Sequence, residues 1–195
     1  NPWAATIDGS ENALLARLRE AWELLEEENP FGLIPEVQSN LAEALFDAAT
    51  FDQIAAFPGR IVKCGERVRR LDGPRFGASR HMAKILIASI RNGSPFRAVM
   101  NVRYEPSIIK ACLAAGFTVE SFSRDDEPIE VKLAEGSTLE WGTASVLLSK
   151  GYAPDVIYDE GDRGKEPMIR LFGLDAPDAA RKVCALWRKM KEIEK

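Results

Sequence analysis

The stretch AVMNVRYEPSIIKACLAAGFTVESF, residues 98–122, decides the fold class. Its apolar run at 98–102 has the composition of a buried strand, Pro106 opens a helical segment that Gly116 closes, and residues 117–122 again have strand character. A strand, a helix and a second strand joined by short connections are typical of an α/β protein. We therefore expect a sheet covered by helices.

Helices and strands continue to alternate on both sides of this stretch. Toward the N-terminus, the spacing of apolar residues predicts helices at 11–28, about 40–48 and 79–92, a strand at 60–63 and its hairpin partner at 66–70. Toward the C-terminus it predicts a helix at 141–149, strands at 155–158 and 168–172, and a last helix from about residue 177. We expect one globular unit, in which an N-terminal helix and possible linker at 1–30 pack on a domain that spans 31–195.

The composition is that of a globular protein without general affinity for nucleic acid. Hydrophobic residues make up 46% and charged residues 29% of the 195 residues, which suits a folded domain. The net charge of -4 gives no overall attraction to nucleic-acid phosphates, so an anionic ligand must be held by a local basic pocket. No apolar run approaches the length of a membrane span, and the first residues lack the features of a signal peptide. We therefore expect a cytoplasmic protein.

Cysteine and histidine are too few for several kinds of metal site. Cys64, Cys112 and Cys184 lie far apart, without the paired spacing of a zinc site or a disulfide scaffold. His81 is the single histidine, which excludes multi-histidine zinc catalysis and the iron facial triad. A metal ion would therefore need oxygen ligands.

The first candidate binding segment is FGASRHM at 76–82. A glycine-containing turn opens a helix there, and the free backbone N–H groups of the first turn join Ser79, Arg80 and His81 in a setting that suits phosphate. The alternative is purely structural, with Ser79 capping the helix and the two following side chains facing solvent.

The second candidate segment is VMNVRYEPS at 99–107, where a strand ends before a helix that starts with proline. Ligand sites of α/β proteins are commonly found at such strand ends. Asn101 and Arg103 are the candidate ligand contacts, because an arginine can clamp a phosphate through two hydrogen bonds. The alternative is that Asn101 shapes the turn and Arg103 pairs with a surface acid.

The third candidate segment is PDVIYDEGDRGKEPMIRLFG at 154–173, where an apolar strand leads into a run of acids, bases and glycines. Asp159 and Asp162 offer hard oxygen ligands for Mg²⁺, while Lys165 and the flexible backbone at Gly161 can approach a phosphate. A solvated turn between two strands would have a similar composition. The residues alone therefore indicate binding of a phosphorylated ligand and no particular reaction.

A collinear series of motifs identifies the chain as resembling the archaeal ThiN-type thiamine-phosphate synthase domain. The resemblance runs from about Leu33 to Trp187 and rests on PGRIV at 58–62, FGASRHMAKILIA at 76–88, AVMNVRY at 98–104, RDDEP at 124–128, WG at 141–142 and PDVIYDEGDRGKEPMIRLFG at 154–173. Such domains occur alone, behind a pyrimidine kinase domain, or in transcription regulators that sense thiamine phosphates.

The resemblance implies a fold and a reaction. The implied fold is a three-layer α/β/α sandwich with a mixed sheet, similar to class II aldolases. The implied reaction joins 4-amino-2-methyl-5-pyrimidinylmethyl diphosphate to 4-methyl-5-thiazole-ethyl phosphate and releases pyrophosphate, with Mg²⁺ as cofactor. The resemblance is also compatible with a homodimer and with a fusion of this domain to a pyrimidine kinase domain.

The resemblance further implies which residues act. Catalytically competent members carry an arginine at the position of Arg60 and a histidine at the position of His81, so we expect the first to neutralise the diphosphate and the second to hydrogen-bond or protonate the departing pyrophosphate. The expected phosphate or substrate contacts are Ser79, Arg80, Asn101, Arg103, Gly161 and Lys165, with Asp159 and Asp162 near Mg²⁺ or the aminopyrimidine.

Three alternatives compete with a synthase. A non-catalytic sensor domain of a transcription regulator would bind thiamine phosphate in nearly the same pocket, although Arg60 and His81 favour the enzyme. A class II aldolase would need several histidine ligands for zinc, and this chain has one histidine. An interaction module with surface ion pairs would leave the motif series unexplained.

Overall fold

The computed structural model describes residues 10–133 and 138–193, which contain six α-helices and nine β-strands. The helices are α1 (Glu11–Glu28), α2 (Arg80–Arg91), α3 (Pro106–Ala114), α4 (Ile129–Leu133), α5 (Thr138–Lys150) and α6 (Ala176–Ile193). The strands are β1 (Leu41–Ala44), β2 (Ile54–Ala56), β3 (Ile61–Cys64), β4 (Arg67–Arg70), β5 (Arg75–Phe76), β6 (Ala98–Arg103), β7 (Val119–Ser121), β8 (Val156–Asp159) and β9 (Met168–Gly173).

Seven of these strands form one mixed sheet in the order β5-β2-β1-β6-β9-β8-β7. Only β7 and β8 run parallel among the described strands, and every other neighbouring pair is antiparallel. Strands β3 and β4 form a separate two-stranded sheet. The hairpin predicted at 60–63 and 66–70 is therefore confirmed.

The two faces of the sheet are covered by different helices. Along β6, Ala98, Met100 and Val102 belong to the core that α1, α3 and α6 complete, whereas Val99 belongs to the core beneath α2 and α5. This alternation follows from the period of two in a strand, which sends successive side chains to opposite faces. The predicted three-layer α/β/α sandwich with a mixed sheet is confirmed.

Helix α1 packs its apolar side into one of these cores. The hydroxyl of Ser10 accepts a hydrogen bond from the backbone N–H of Ala13 and caps the helix, and Asn29 ends it in a left-handed conformation with φ 54°. Leu14, Leu18 and Leu25 are fully buried. The predicted bounds of this helix, 11–28, agree with the structure.

Residues 40–48 do not form the predicted helix. They contain strand β1, which pairs with β2 on one side and β6 on the other. Leu41 faces the core of α1 and α6 while Ala42 and Ala44 face the core of α2. Glu43 is buried as well, and its carboxylate accepts hydrogen bonds from Arg17 and from the backbone N–H of Ala176. Sheet pairing and burial on both faces thus override the helical preference of Leu, Ala and Glu.

Within the described part of the chain, the helices are either too short or too polar to cross a lipid bilayer.

The close approach of α6 to β9 can be tested at Gly173. A Cβ at this position would lie 2.4 Å from the backbone N of Ala179, so the Gly173→Ala variant must displace the first turn of α6. We expect its free energy of unfolding to fall by about 1–3 kcal/mol, measured by urea denaturation. Gly73→Ala is the matched control, since the nearest atom to its Cβ is 3.9 Å away on Arg70, and it should stay within about 0.5 kcal/mol of wild type. Equal losses in both variants would contradict close packing at Gly173.

Candidate active site

One cavity, called the main cavity below because five of the predicted site residues line it, has a volume of about 330 Å³ and lies beside the first turn of α2, where β6 and β9 end their pairing. Its apolar wall is formed by Met82 and Ile85 of α2, Leu139 of α5 and Met168 of β9. Apart from Val37, its remaining described lining is polar or charged. A pocket of this size, apolar on one side with a few polar groups on the other, suits a small-molecule ligand.

Five of the residues predicted from the sequence line this main cavity: Arg60, Ser79, His81, Asn101 and Lys165. They come from a turn, the start of α2, the strand β6 and the β8–β9 loop, which are far apart in the chain and adjacent in the fold. The hydroxyl of Ser79 accepts a hydrogen bond from the backbone N–H of Met82, so this residue also caps α2.

A second, more open cavity of about 610 Å³ adjoins the main one. Arg60, Ser79 and His81 line both cavities. Arg80 lines the second cavity and not the main one. The guanidinium of Arg80 also lies over the ring of Phe51, 5.4 Å from its centroid. The first turn of α2 therefore faces two neighbouring spaces.

The backbone at Arg60 is unusual. Arg60 has φ 70° and follows Gly59 with φ 71°, so both residues are left-handed. This conformation costs a residue with a Cβ about 1–2 kcal/mol. The side chain donates a hydrogen bond to the carbonyl of Val37, next to Gln38, whose φ of 69° is also left-handed. Strained backbone of this kind concentrates at functional sites because the surrounding structure must hold it in place.

Asn101 holds one wall of the main cavity. Its amide oxygen accepts a hydrogen bond from the backbone N–H of Asn40 at 2.8 Å, and its amide nitrogen donates to the carbonyl of Gln38 at 3.0 Å. Glu166 holds the two residues before Gln38 in place. Its carboxylate accepts hydrogen bonds from the backbone N–H groups of Glu36 and Val37, at 3.0 Å each. The segment 36–40 is thus fixed by side chains from β6 and the β8–β9 loop.

Four of the predicted residues line neither cavity: Arg103, Gly161, Asp162 and Asp159. Arg103 is partly exposed and pairs with Glu105 at 3.0 Å, which is the surface pairing considered as its alternative. Gly161 has φ 81°, and a Cβ there would lie 2.6 Å from the carbonyl oxygen of Lys165, so this glycine shapes the turn. The exposed Asp162 accepts a hydrogen bond from the backbone N–H of Arg163.

Asp159 lies beneath the main cavity instead of lining it. Its side chain is fully buried, with Oδ1 2.6 Å from Nε of Arg124 and Oδ2 2.7 Å from a terminal nitrogen of Arg170. The two guanidinium groups hold the pKa of this carboxyl below its ordinary value, against the opposing effect of burial. Both arginines line the main cavity, and neither was predicted as a site residue.

The main cavity is therefore cationic. Arg60, Arg124, Lys165 and Arg170 line it, and Glu166 is the one carboxylate among its described lining residues. The signal for Arg170 was present in the sequence, because an arginine inside the apolar strand MIRLFG must have a buried partner. A ligand with several negative charges fits this pocket. The lining of the pocket is positively charged although the whole chain has a net charge of -4.

The structure offers no built site for a metal ion among the described residues. No three of their histidine, cysteine, aspartate and glutamate side chains converge in a way that could hold one. Both oxygens of Asp159 are bound by arginines, and Asp162 is exposed. The carboxylates expected near Mg²⁺ are thus arranged for other contacts.

His81 faces a strongly cationic environment. Its side chain is open to the cavities, but the enclosing protein limits its hydration. Desolvation, followed by the positive charges of Arg170, Arg60 and Arg124, lowers the pKa of His81 from 6.5 to about 4. The imidazole is therefore neutral at pH 7 in the ligand-free protein, and one of its ring nitrogens can donate a hydrogen bond.

The fold and the cavity define an α/β protein with a cationic pocket suited to phosphorylated ligands. Residues 17–185 match the family model of thiamine-phosphate synthase ThiN, and the chain belongs to this family. A curated relative, thiamine-phosphate synthase ThiN of Methanothermobacter thermautotrophicus, is 36% identical over 181 residues, which cover 92% of this chain and 95% of that protein.

A second relative is longer than this chain. The bifunctional thiamine biosynthesis protein ThiDN of Methanocaldococcus jannaschii is 42% identical over 176 residues, which cover 87% of this chain and 39% of that protein. The match thus spans about two fifths of the length of this relative. The family resemblance stated from the sequence motifs is confirmed, and the names of both relatives describe biosynthetic proteins.

Solved structures agree with the fold. The C-terminal domain of a phosphomethylpyrimidine kinase is similar with a TM-score of 0.84 and 34% identity, covering 91% of this chain and 100% of that chain. An L-fuculose-1-phosphate aldolase from Thermus thermophilus is similar with a TM-score of 0.51 and 13% identity, covering 92% and 93%. The second likeness concerns the fold alone, and it confirms the predicted class II aldolase-like architecture.

The protonation state of His81 can be measured directly, because the chain contains one histidine. In untagged protein, its single imidazole Hε1 resonance should titrate with a pKa of about 4, and the urea-unfolded chain should give the ordinary value near 6.5. Adding inorganic pyrophosphate should raise the pKa of His81, since a bound polyanion offsets the surrounding guanidinium charges. A pKa near 6.5 in the folded, ligand-free protein would contradict the described environment.

Proposed function

We propose that this chain is a thiamine-phosphate synthase of the alkyl-transferring kind. In the proposed reaction, 4-amino-2-methyl-5-pyrimidinylmethyl diphosphate and 4-methyl-5-thiazole-ethyl phosphate give thiamine phosphate and pyrophosphate. The observation that carries the proposal is the position of Arg60 and His81, which line two adjoining cavities at the start of one helix. A reaction between two phosphorylated substrates needs two neighbouring spaces and positive charge between them.

The names of the relatives support this proposal. One relative is named a thiamine-phosphate synthase, and a similar structure is the C-terminal domain of a phosphomethylpyrimidine kinase. A kinase acting on a phosphomethylpyrimidine would make a diphosphate of the class that the proposed reaction consumes. We propose that a kinase domain of this kind is also the natural fusion partner or supplier for this chain. The predicted homodimer stays a prediction.

The chemistry requires a stabilised leaving group and no enzyme nucleophile. The bond between the methylene carbon and the diphosphate oxygen breaks, and its electron pair leaves with pyrophosphate. The cation that remains is delocalised into the aminopyrimidine, and the lone pair of the thiazole nitrogen forms the new carbon–nitrogen bond. Because negative charge develops on the leaving oxygen, preorganised cations and hydrogen-bond donors lower the barrier most.

Arg60 and His81 are suited to this task in different ways. We propose that Arg60, held in its left-handed backbone conformation, places a permanent charge on the diphosphate. His81 is neutral before the substrate binds, because its pKa is lowered to about 4. It is therefore proposed to donate a hydrogen bond from its N–H to the leaving oxygen, which is the first of the two roles expected from the sequence.

We also propose that Mg²⁺ enters with the diphosphate. The described residues present no cluster of ligands for it, and Mg²⁺ in proteins is often bound mainly through substrate phosphates and water. When bound, it would add positive charge to the leaving group. The protein's own contribution would remain the cationic side chains of the main cavity.

The synthase proposal is tested with purified chain, both precursors and Mg²⁺, following thiamine phosphate and pyrophosphate by chromatography. We expect the wild-type protein to form both products, and His81→Ala and Arg60→Ala each to lower kcat by about 100-fold or more. Arg91→Ala is the matched control, because Arg91 lies at the far end of the same helix α2 in an exposed pair with Glu140, and it should keep the wild-type rate.

The same assay separates the synthase from the sensor. Absence of product from wild-type protein, together with tight binding of thiamine phosphate in calorimetry, would favour the non-catalytic domain of a regulator. If His81→Ala and Arg60→Ala both kept the wild-type rate, the chain would still be a synthase, but the proposed roles of these two residues would be contradicted.

The magnesium proposal gives a separate expectation. Titration of the free protein with MgCl₂ at pH 7 should give no saturable binding heat, whereas the same titration in the presence of pyrophosphate should show a saturable site. The pyrophosphate–magnesium mixture without protein is the control for ion pairing in solution. Stoichiometric Mg²⁺ binding to the free protein would contradict the proposal and would point to ligands supplied by the chain.

A further inference from the structure

Asp159 joins two arginines that come from different parts of the fold. Arg124 belongs to a short 3-10 turn after β7, and Arg170 lies in the middle of β9, directly beside β8. Asp159 ends β8 and binds one arginine with each carboxylate oxygen, at 2.6 and 2.7 Å. All three side chains are at least nine-tenths buried, with exposed fractions of 8%, 2% and 0% for Arg124, Arg170 and Asp159.

The carboxylate is itself held in place. The backbone N–H of Gly161 donates to Oδ1 of Asp159 at 3.0 Å, so the turn after β8 fixes the rotamer. Arg170 has two further contacts, a hydrogen bond to the carbonyl of Met168 and a position over the ring of Phe122, 5.5 Å from its centroid. These contacts leave the guanidinium of Arg170 few alternative orientations.

The charges of this cluster do not cancel. Two guanidinium groups share one carboxylate, which leaves one excess positive charge in a region largely withdrawn from water. Buried charge is costly unless it is paired. Both arginines also line the main cavity, so an anion bound there would complete the pairing.

We propose that Asp159 is a positioning residue that aims Arg124 and Arg170 at the diphosphate group of the substrate and at the pyrophosphate product. This inference rests on the proposed function and assigns the diphosphate to the Arg124–Arg170 side of the main cavity. It replaces the expectation from the sequence that Asp159 contacts Mg²⁺ or the aminopyrimidine. Asp159 touches no ligand in this arrangement and acts through the two arginines.

The Asp159→Asn variant distinguishes positioning from simple electrostatics. Removing the negative charge increases the positive charge beside the cavity, so Coulombic attraction alone would make inorganic pyrophosphate bind more tightly. An asparagine amide can accept a hydrogen bond from one arginine but presents an N–H group to the other. Loss of orientation should therefore weaken pyrophosphate binding at least tenfold in calorimetry, and should lower kcat at least tenfold.

Asp155→Asn is the matched control. Asp155 immediately precedes the same strand, β8, and its carboxylate is paired with Lys182 at 2.6 Å, outside the lining of both cavities. This variant loses a partly buried ion pair of the same kind, so its midpoint of urea denaturation should fall while pyrophosphate affinity and kcat stay within twofold of wild type. A purely structural role of Asp159 would make the two variants behave alike.

A second variant covers the case in which Asp159→Asn does not fold. Arg124→Lys keeps the positive charge but lacks the planar fork that pairs with both a carboxylate and a phosphate, and it should weaken pyrophosphate binding at least fivefold. Circular dichroism and the calorimetric stoichiometry report the folded fraction. Pyrophosphate affinity equal to or tighter than wild type in folded Asp159→Asn, or unchanged affinity in Arg124→Lys, overturns the inference.

Failure of this inference is distinguishable from failure of the proposed function. A wild-type protein that forms thiamine phosphate while folded Asp159→Asn keeps full pyrophosphate affinity contradicts the positioning role alone. A wild-type protein that forms no thiamine phosphate contradicts the synthase, and the pyrophosphate titrations then still decide whether Asp159 orients the arginines. A wild-type protein without measurable pyrophosphate affinity contradicts the positioning role whatever the assay shows.

Discussion

The antiparallel pairing of β6 with β9 is the constraint on which the site depends. These two strands form the middle of the sheet and pair along their whole length, and the register places Asn101 opposite Arg170. Paired residues of antiparallel strands point to the same face of the sheet. Asn101 and Arg170 therefore both line the cavity beside α2. A shift of one strand by one residue would turn its side chain of this pair to the opposite core. Apolar neighbours such as Val99 and Phe172, buried on the same face, secure this register.

Much of the fold could be predicted because its longer elements have clear periodicity. Helix α1 and strand β6 carry enough apolar residues at regular spacing to indicate their type, and their predicted bounds nearly coincide with the observed ones. Short elements have no such pattern. Strand β2 has three residues and β5 has two, so their pairing depends on partners distant in the chain. In β1, residue composition favoured a helix, and only burial on both faces explains the strand.

The candidate site shows the same division. Residues in local motifs, such as Ser79 and His81 at a helix start, could be placed from the sequence because the start of a helix is a recognisable candidate for anion binding. Arg124 could not, and for Arg170 the sequence indicates only that a buried partner is needed. The shared carboxylate that joins a 3-10 turn to two strands is visible only in the structure. Asp159 was predicted as a site residue, but both of its carboxylate oxygens bind buried arginines and it does not line the main cavity. Sequence position indicated the residue, and only the three-dimensional contacts define its task.

These contacts also connect the charge of the pocket to the state of His81. Desolvation, together with the same arginines that would attract a diphosphate, lowers the pKa of His81 to about 4, so the ligand-free protein holds a neutral imidazole beside strong cations. A bound polyanion offsets those cations and makes proton uptake by the imidazole more favourable. In the proposed reaction, proton uptake would make the imidazole a stronger hydrogen-bond donor to the leaving group as negative charge grows there. The proposed mechanism thus needs one titrating imidazole in a cationic pocket, which agrees with a chain that has a single histidine.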